Sequence, residues 1–494
     1  AHDLMSGVMT DHVWEDTVRS YGFSRRLADE EVEARLCRYC TKVDTSGEGI
    51  PLVVFNSLGW PRTDLVTATV GLAEPNVTGL TLFDPDGQAT PVQILRTEKR
   101  ACGSLVQAHI AFIARDVPAL GHALYRVVPS RDGADTEPQL ASAPDTVILE
   151  NDYYRVEVDG RTGAITAVVA KEGSWSALSA PANVVVQEQD HGDFWEPYHP
   201  LDGGSRVAMR VPHPVPPRGE AVYSDETPDE PGVVLRGPVF SEVTVNHPFG
   251  STATFTTTIR LYASLRRIEI RTVILNNDKF VRYRALCPTS ITDGEATHEI
   301  PFGAITRPQG LEFPAQSWVD WSNGDRGVGL LNWGLPGHAV HDGTLYLSLM
   351  RSTCIVAYGF GGGHEPWMTS HTGLELGKQI EFHYALVPHS GDWRCARLYL
   401  EGHAFNNPLM ARTSHWHPGV LPSRWSYLQI EPENVVLSSL STSEGGAAIL
   451  RIYEAEGRPT VARIVLPRGR QRVEEVSLVE DLLGELPLAD GLSL

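Results

Sequence analysis

From Asp11 to Val43, apolar residues recur every three or four positions: Val13, Val18, Tyr21, Leu27, Val32, Leu36 and Tyr39, set among charged ones. That period predicts one helix of about thirty residues, with Thr10 placed to cap it. One helix cannot bury its own stripe, and no other stretch has the length and period to partner it. After Gly47 and Gly49 the period falls to two. The run LVVF follows Pro51, Leu65, Thr67 and Thr69 alternate with Val66, Ala68 and Val70, and Asp84-Pro85-Asp86-Gly87 turns TLF into PVQIL. With a further strand at 123–128, these runs predict a small β-sandwich at 47–128. A stretch rich in Pro, Ser, Asp, Gly and Ala then reads as a linker, 129–145.

A second strand series opens at Thr146. Tyr154, Val156 and Val158 alternate with Arg155 and Glu157, and the turn DGRTG leads into AITAVV. Strand runs follow at 255–261 and 267–275, where Ile268, Ile270 and Ile274 share a face, then at 327–331, 345–350 and 380–386. The Pro-rich residues 211–231 read as an excursion from the sheet. So many strands without helices between them imply packed antiparallel sheets, a large β-supersandwich at 146–415. A last β-unit at 416–494 carries Val435-Val436-Leu437 and runs at 448–453 and 461–466. The expected fold class is mainly β: multi-domain β-sandwich/supersandwich preceded by one long helix.

Composition narrows the function classes. The formal net charge of −20 argues against nucleic acid, which needs a basic footprint, and against anionic membranes. No apolar run is long enough to span a bilayer. Six Cys, at 37, 40, 102, 287, 354 and 395, are too few for a disulfide framework and fit a reducing compartment, the cytoplasm. Cys37 and Cys40 spell CxxC without a partner pair and read as ordinary helix residues. The chain begins with Ala and has no signal-peptide pattern, so it reads as processed or as a piece of a longer protein.

GxGxxG after a strand, the P-loop, HExxH and GxSxG are all missing. What remains is polar clusters on a β scaffold. His2-Asp3 sets an imidazole beside a carboxylate just before the helix, which suits a metal or a sugar hydroxyl. The richest cluster is QEQDHGDFWEPYHP at 187–200, with Asp190, His191, Asp193, Trp195, Glu196, Tyr198 and His199. Carboxylates beside aromatics suit carbohydrate, His191-Gly192-Asp193 spells two metal ligands, and a plain surface loop remains the alternative. Trp318 and Trp321 are expected on one side of a strand, as core. Arg351 ends the strand LYLSLM and reads either as a group aimed at a ligand or as half of a salt bridge.

Collinear motifs then point to a family. HDLMSGVMTDHVWED, PLVVFNSLGWPRTDLV with its Phe55-Asn56, Trp60 and Arg62, and LENDYYRVEVDGRTGAITAV stand in that order. HEIPFGAITRP, GTLYLSLMRS, ALVPHSGDWR, HAFNNPL and VVLSSLSTSEGGAAILRIYEAEGRP follow them. Together they resemble the middle and C-terminal regions of family 38 glycoside hydrolases, the zinc-dependent α-mannosidases, and most of all the bacterial branch. The resemblance implies a retaining α-mannosidase working by double displacement on an α-mannoside. It implies that His2 is a zinc ligand, that Asp3 meets sugar hydroxyls, and that Arg351, Asp193 and Trp195 reach the same sugar. It makes residues 1–46 the last helix of a middle helical bundle.

In the family the α/β barrel bearing the nucleophile, the acid/base and the other zinc ligands precedes this His-Asp, whereas here only Ala1 does. The expectation is therefore a C-terminal portion with no catalytic residue of its own, a partial Zn2+ site, and an N-terminal α/β-barrel as its missing partner. One His and one Asp cannot close a zinc site, so the isolated chain is expected to be inactive. The competing readings are a related hydrolase such as mannosylglycerate hydrolase, a stand-alone carbohydrate-binding module using the 190–198 loop, and a structural partner completing a separately encoded barrel. An exposed helix stripe would favour a homo-oligomer.

Overall fold

The computed structural model describes residues 11–131, 138–191, 212–250, 253–352, 355–358, 364–370, 376–443, 445–465, 472–486 and 492–493. Helix α1, Asp11–Cys40, forms where the three-four spacing predicts it. Most of it faces solvent, with Val18, Tyr21, Phe23, Leu27 and Val32 all exposed. Its last turn is the anchored part. There Leu36, Tyr39 and Cys40 pack with Val43, Val53, Phe55 and Leu124, and the Tyr39 hydroxyl bonds His122 Nδ1 at 2.9 Å. Burial, with a smaller push from Cys37, raises the Cys40 thiol to about 11. Cys37 is exposed on the same helix, so the CxxC pair sits as ordinary helix residues. At the other end, the Lys378 ammonium lies 4.1 Å over the Trp14 ring.

The first sandwich packs a sheet centred on Ile50–Asn56 and Gly121–Ser130 against the strands Arg62–Gly71, Leu105–Val117 and Val92–Lys99. Alternation along Arg62–Gly71 turns Val66, Ala68 and Val70 inward, where they meet Ile110, Phe112 and Tyr125. Two strands of the first sheet come from far along the chain: Met410–Thr413 pairs Ile50–Asn56, and Arg424–Ser426 pairs Gly121–Ser130. Gly121 lets that return strand close in, because a Cβ there would lie 2.0 Å from the Trp425 carbonyl oxygen.

The large unit faces a ten-stranded sheet against a six-stranded one, counted over the described residues. Phe255, Ile259, Ile270, Phe382 and Tyr384 of the first interlock with Val185, Tyr283, Ala285 and Leu347 of the second. Part of the stretch read as linker, Gln139–Ser142, is an edge strand paired to Val233–Arg236. In the Trp318–Ser322 strand both Trp are buried but on opposite faces. Trp318 packs with Trp393 and Leu398 beneath helix α2, Leu398–Asn406, while Trp321 joins the main core. A separation of three residues reverses the side in a pleated strand, which corrects the expectation of a shared side.

A buried ion cluster joins the first sandwich to the large unit. Arg267 donates to Asp64 at 2.6 Å and to Glu269 at 2.7 Å. The remaining strands, including Val435–Thr442 with Ala448–Glu454, form a C-terminal unit around Leu428, Ile430, Val435 and Ile464. Among the described residues no helix is long and apolar enough to cross a membrane.

Candidate functional site

Three adjacent strands of the six-stranded sheet, Val184–Gln189, Val281–Pro288 and Thr344–Ser352, bring their ends together. Because the pleat alternates, Val185, Gln187, Tyr283 and Ala285 point into the core and Glu188, Arg282 and Arg284 point out. A bulge after Tyr283 sets Arg351 opposite Arg282. Each of these three guanidinium groups meets a carboxylate. Arg284 grips Glu188 at 2.5 and 2.9 Å, Arg282 donates to both oxygens of Glu312 at 2.6 Å, and Arg351 donates to Asp190 at 2.5 and 3.0 Å. Charges so deep persist when paired and fully bonded. Glu312 records this: burial alone raises it, yet Arg282 beside it holds it down at about 2.

Arg351 is the guanidinium of this ladder that reaches solvent, with 23 % of its side chain exposed against 0 % for Asp190. Asp190 is itself fixed, since its backbone N–H donates to the Phe280 carbonyl at 2.7 Å. The His191 ring lies 5.9 Å from Phe280. Beneath the pair runs a buried polar chain. Gln187 Nε2 donates to Asp278 Oδ2 at 2.7 Å and to the Tyr283 hydroxyl at 2.8 Å, and that hydroxyl donates to Asn276 Oδ1 at 2.8 Å. Ser352 Oγ donates to the Asp278 carbonyl at 2.7 Å. Burial holds the Tyr283 phenol far above its usual range, so it remains a donor. Gly250, at φ +66°, makes room for this chain: a Cβ there would sit 2.4 Å from Asp278 Oδ2 and 2.5 Å from Gln187 Nε2. The result is a rigid end of the sheet that aims one guanidinium outward.

The start of α1 comes to the same end. Lys378, beneath Trp14, is the register partner of Asn276, and residues 1–10 precede that helix in the sequence. Of the residues expected to act, Arg351 is placed here: it lies at the end of its strand and is salt-bridged to Asp190. His2, Asp3, Asp193 and Trp195 lie outside the described residues. Sequence reasoning passed over Arg282, Arg284, Glu312 and Asp278. The run VRYRALCP, with two Arg alternating inside an apolar strand, was the available sign of a charged sheet face. Among the described residues no group of three or more His, Cys, Asp or Glu side chains could hold a metal ion, so these residues by themselves do not fit a zinc centre.

The fold is one of packed antiparallel β-sheets with a charged site at the strand ends of the six-stranded sheet. Residues 149–355, which include all three strands and Arg351, match the family model described as the glycosyl hydrolases family 38 C-terminal domain. That match supports a C-terminal portion of a family 38 glycosyl hydrolase. The chain is 25 % identical to alpha-mannosidase 2C1 of Mus musculus over 482 residues, covering 92 % of this chain and 39 % of that protein. It is 25 % identical to the Homo sapiens alpha-mannosidase 2C1 over 518 residues, covering 99 % and 42 %. The chain thus spans about two fifths of the length of these relatives. Its fold is shared with an alpha-mannosidase from Enterococcus faecalis V583, at a TM-score of 0.72 and 15 % identity over 92 % of this chain and 56 % of that one. A glycosyl hydrolase family 38 protein from Enterococcus faecalis gives a TM-score of 0.77 at 15 % identity, over 99 % and 63 %.

Proposed function

We propose that the chain is the C-terminal portion of a retaining α-mannosidase acting on terminal α-mannosides, and that Arg351 is the residue its β domain brings to the sugar. The observation that carries this is the Asp190–Arg351 pair, a buried carboxylate fixing a partly exposed guanidinium inside the family-matched stretch. A planar fork of N–H donors suits neighbouring sugar hydroxyls, and a two-point grip from Asp190 sets its plane before the ligand arrives. Asp3 and Asp193 would accept from further hydroxyls, and Trp195 would offer a face to the C–H side of the ring. His2 is the chain's contribution to a zinc ion whose other ligands lie elsewhere.

The nucleophile and the acid/base carboxylate of a double displacement come, in this reading, from an α/β-barrel outside this chain. The approach of α1 to the Arg351 end supports it, as does the two-fifths span of the relatives. The test uses p-nitrophenyl α-D-mannopyranoside. The pure chain is expected to release no nitrophenol and to hold no stoichiometric zinc. Adding the polypeptide encoded directly upstream is expected to give turnover, and Arg351→Ala in that mixture is expected to lower kcat/KM at least about ten-fold. Turnover by the pure chain, or an unaffected Arg351→Ala mixture, overturns the proposal.

A further inference from the structure

The outer face of the ten-stranded sheet carries a second constellation that the Arg351 site does not use. Trp333 follows the Arg326–Asn332 strand, and its backbone N–H donates to the His383 carbonyl at 3.1 Å. From there one row crosses the sheet in register: His383 opposite Arg271, Arg271 opposite Thr258, Thr258 opposite Thr244. A second row beside it runs Glu381, Val273, Thr256, Asn246. Glu381 ties the first row together, accepting from Arg271 Nη2 and lying 2.5 Å from His383 Nε2. Thr244 and Thr258 share a hydroxyl bond at 2.9 Å, and Asn246 donates to Thr256 at 2.5 Å. The Arg271, Glu381 and His383 side chains are 45, 39 and 36 % exposed, with Thr258 and Val273 buried among them.

The Trp333 ring is 51 % exposed and lies 5.4 Å from the His383 ring. Its position is held from behind, because Asn406 Nδ2 at the end of α2 donates to the Asn332 carbonyl at 2.9 Å. An anchored aromatic face costs little entropy to use, and successive groups within a row stand one strand apart, about 4.8 Å, close to the length of one pyranose ring. Charge decides the ligand class. Arg271 and Glu381 neutralise each other within the constellation, and the chain carries a net charge of −20, so a polyanion finds no attraction here. A neutral chain rich in hydroxyls with apolar C–H faces matches both the ring and the rows.

We infer that Trp333, with the Arg271–Glu381–His383 cluster, binds a neutral oligosaccharide laid across the strands. The inference is independent of the α-mannosidase reading, since its readout is binding without turnover. Affinity gel electrophoresis of the full chain in gels containing soluble mannan, dextran or polygalacturonate tests it. Retardation by at least one neutral polymer is expected, with Trp333→Ala and Arg271→Ala each weakening it about ten-fold. Trp416→Ala, at an exposed Trp elsewhere, is expected to leave it unchanged. Circular dichroism checks folding, and if Trp333→Ala is unfolded, Arg271→Ala decides. Retardation by polygalacturonate alone, by no polymer, or equally in both variants overturns the inference.

Discussion

Two buried imidazoles in the large unit make its stability depend on acid in a calculable way. His338 is boxed by bonds that accept one protonation state. Asn332 Oδ1 receives the Leu335 N–H at 3.1 Å, which orients the amide, so Asn332 Nδ2 points at His338 Nε2 at 3.1 Å. Nε2 must therefore accept, and the other ring nitrogen serves the Leu335 carbonyl. Burial, with His298 nearby, pulls His338 from 6.5 down to about 3. His298, whose Nδ1 has no hydrogen-bond partner, is pulled to about 4 by burial and then by Arg307. Both folded values lie below the unfolded one. Their stability contribution is thus present above pH 6.5 and lost as pH falls toward 4 and 3. At about pH 4.5, two units below the unfolded value at about 1.4 kcal/mol per unit, each imidazole costs roughly 2–3 kcal/mol and the pair roughly 5.

The assay is urea unfolding of the large-unit transition at about pH 7 and about pH 4.5, alongside NMR titration of the His Cε1 protons. His338→Gln, which can keep an acceptor for Asn332 and a donor for Leu335, is expected to remove about half of the pH dependence. Asn332→Asp places a carboxylate against Nε2 and is expected to raise the pKa of His338 and flatten the acid slope further. A His338 resonance titrating near 6.5, or a His338→Gln variant with the wild-type slope, would refute the reasoning.

Three further outcomes are expected. Asp190→Asn removes the charge that fixes Arg351 while keeping its shape, and is expected to lower α-mannoside turnover of the reconstituted enzyme about ten-fold with an unchanged circular dichroism spectrum. Gly250→Ala forces a Cβ against Asp278 and Gln187 at a left-handed φ. It is expected to destabilise by about 2–3 kcal/mol, read as a lower urea midpoint. Arg267→Met removes the cation shared by Asp64 and Glu269, leaving Asp64 only Arg62 at 3.9 Å. A loss of about 3–5 kcal/mol and faster proteolysis between the first sandwich and the large unit are expected.

Helix α1 and the strands of both sandwiches were legible because their periods, about 3.6 and 2, are local properties of the chain. The site was legible only in part. Arg351 stood out as a charge ending an apolar strand, and Asp190 stood out in a polar run, but nothing local links positions 161 apart. The bulge after Tyr283 that aligns Arg351 with Arg282 is equally invisible, since a register shift belongs to two strands at once. Arg282 and Arg284 were missed because charges inside an apolar run read as noise until a carboxylate is seen across the sheet. Trp318 and Trp321 failed on simple parity.

The return of 410–413 and 424–426 to the first sandwich has a consequence for biosynthesis. Thr45 Oγ1 donates to the His415 carbonyl from 370 positions away, and Ile50–Asn56 needs Met410–Thr413 to close one of its edges. A nascent chain therefore emerges with this sheet unfinished, and the whole large unit must be made before the sheet is completed. Contacts of such sequence separation form slowly, so the open edge of Ile50–Asn56 is the surface most in need of protection while translation proceeds.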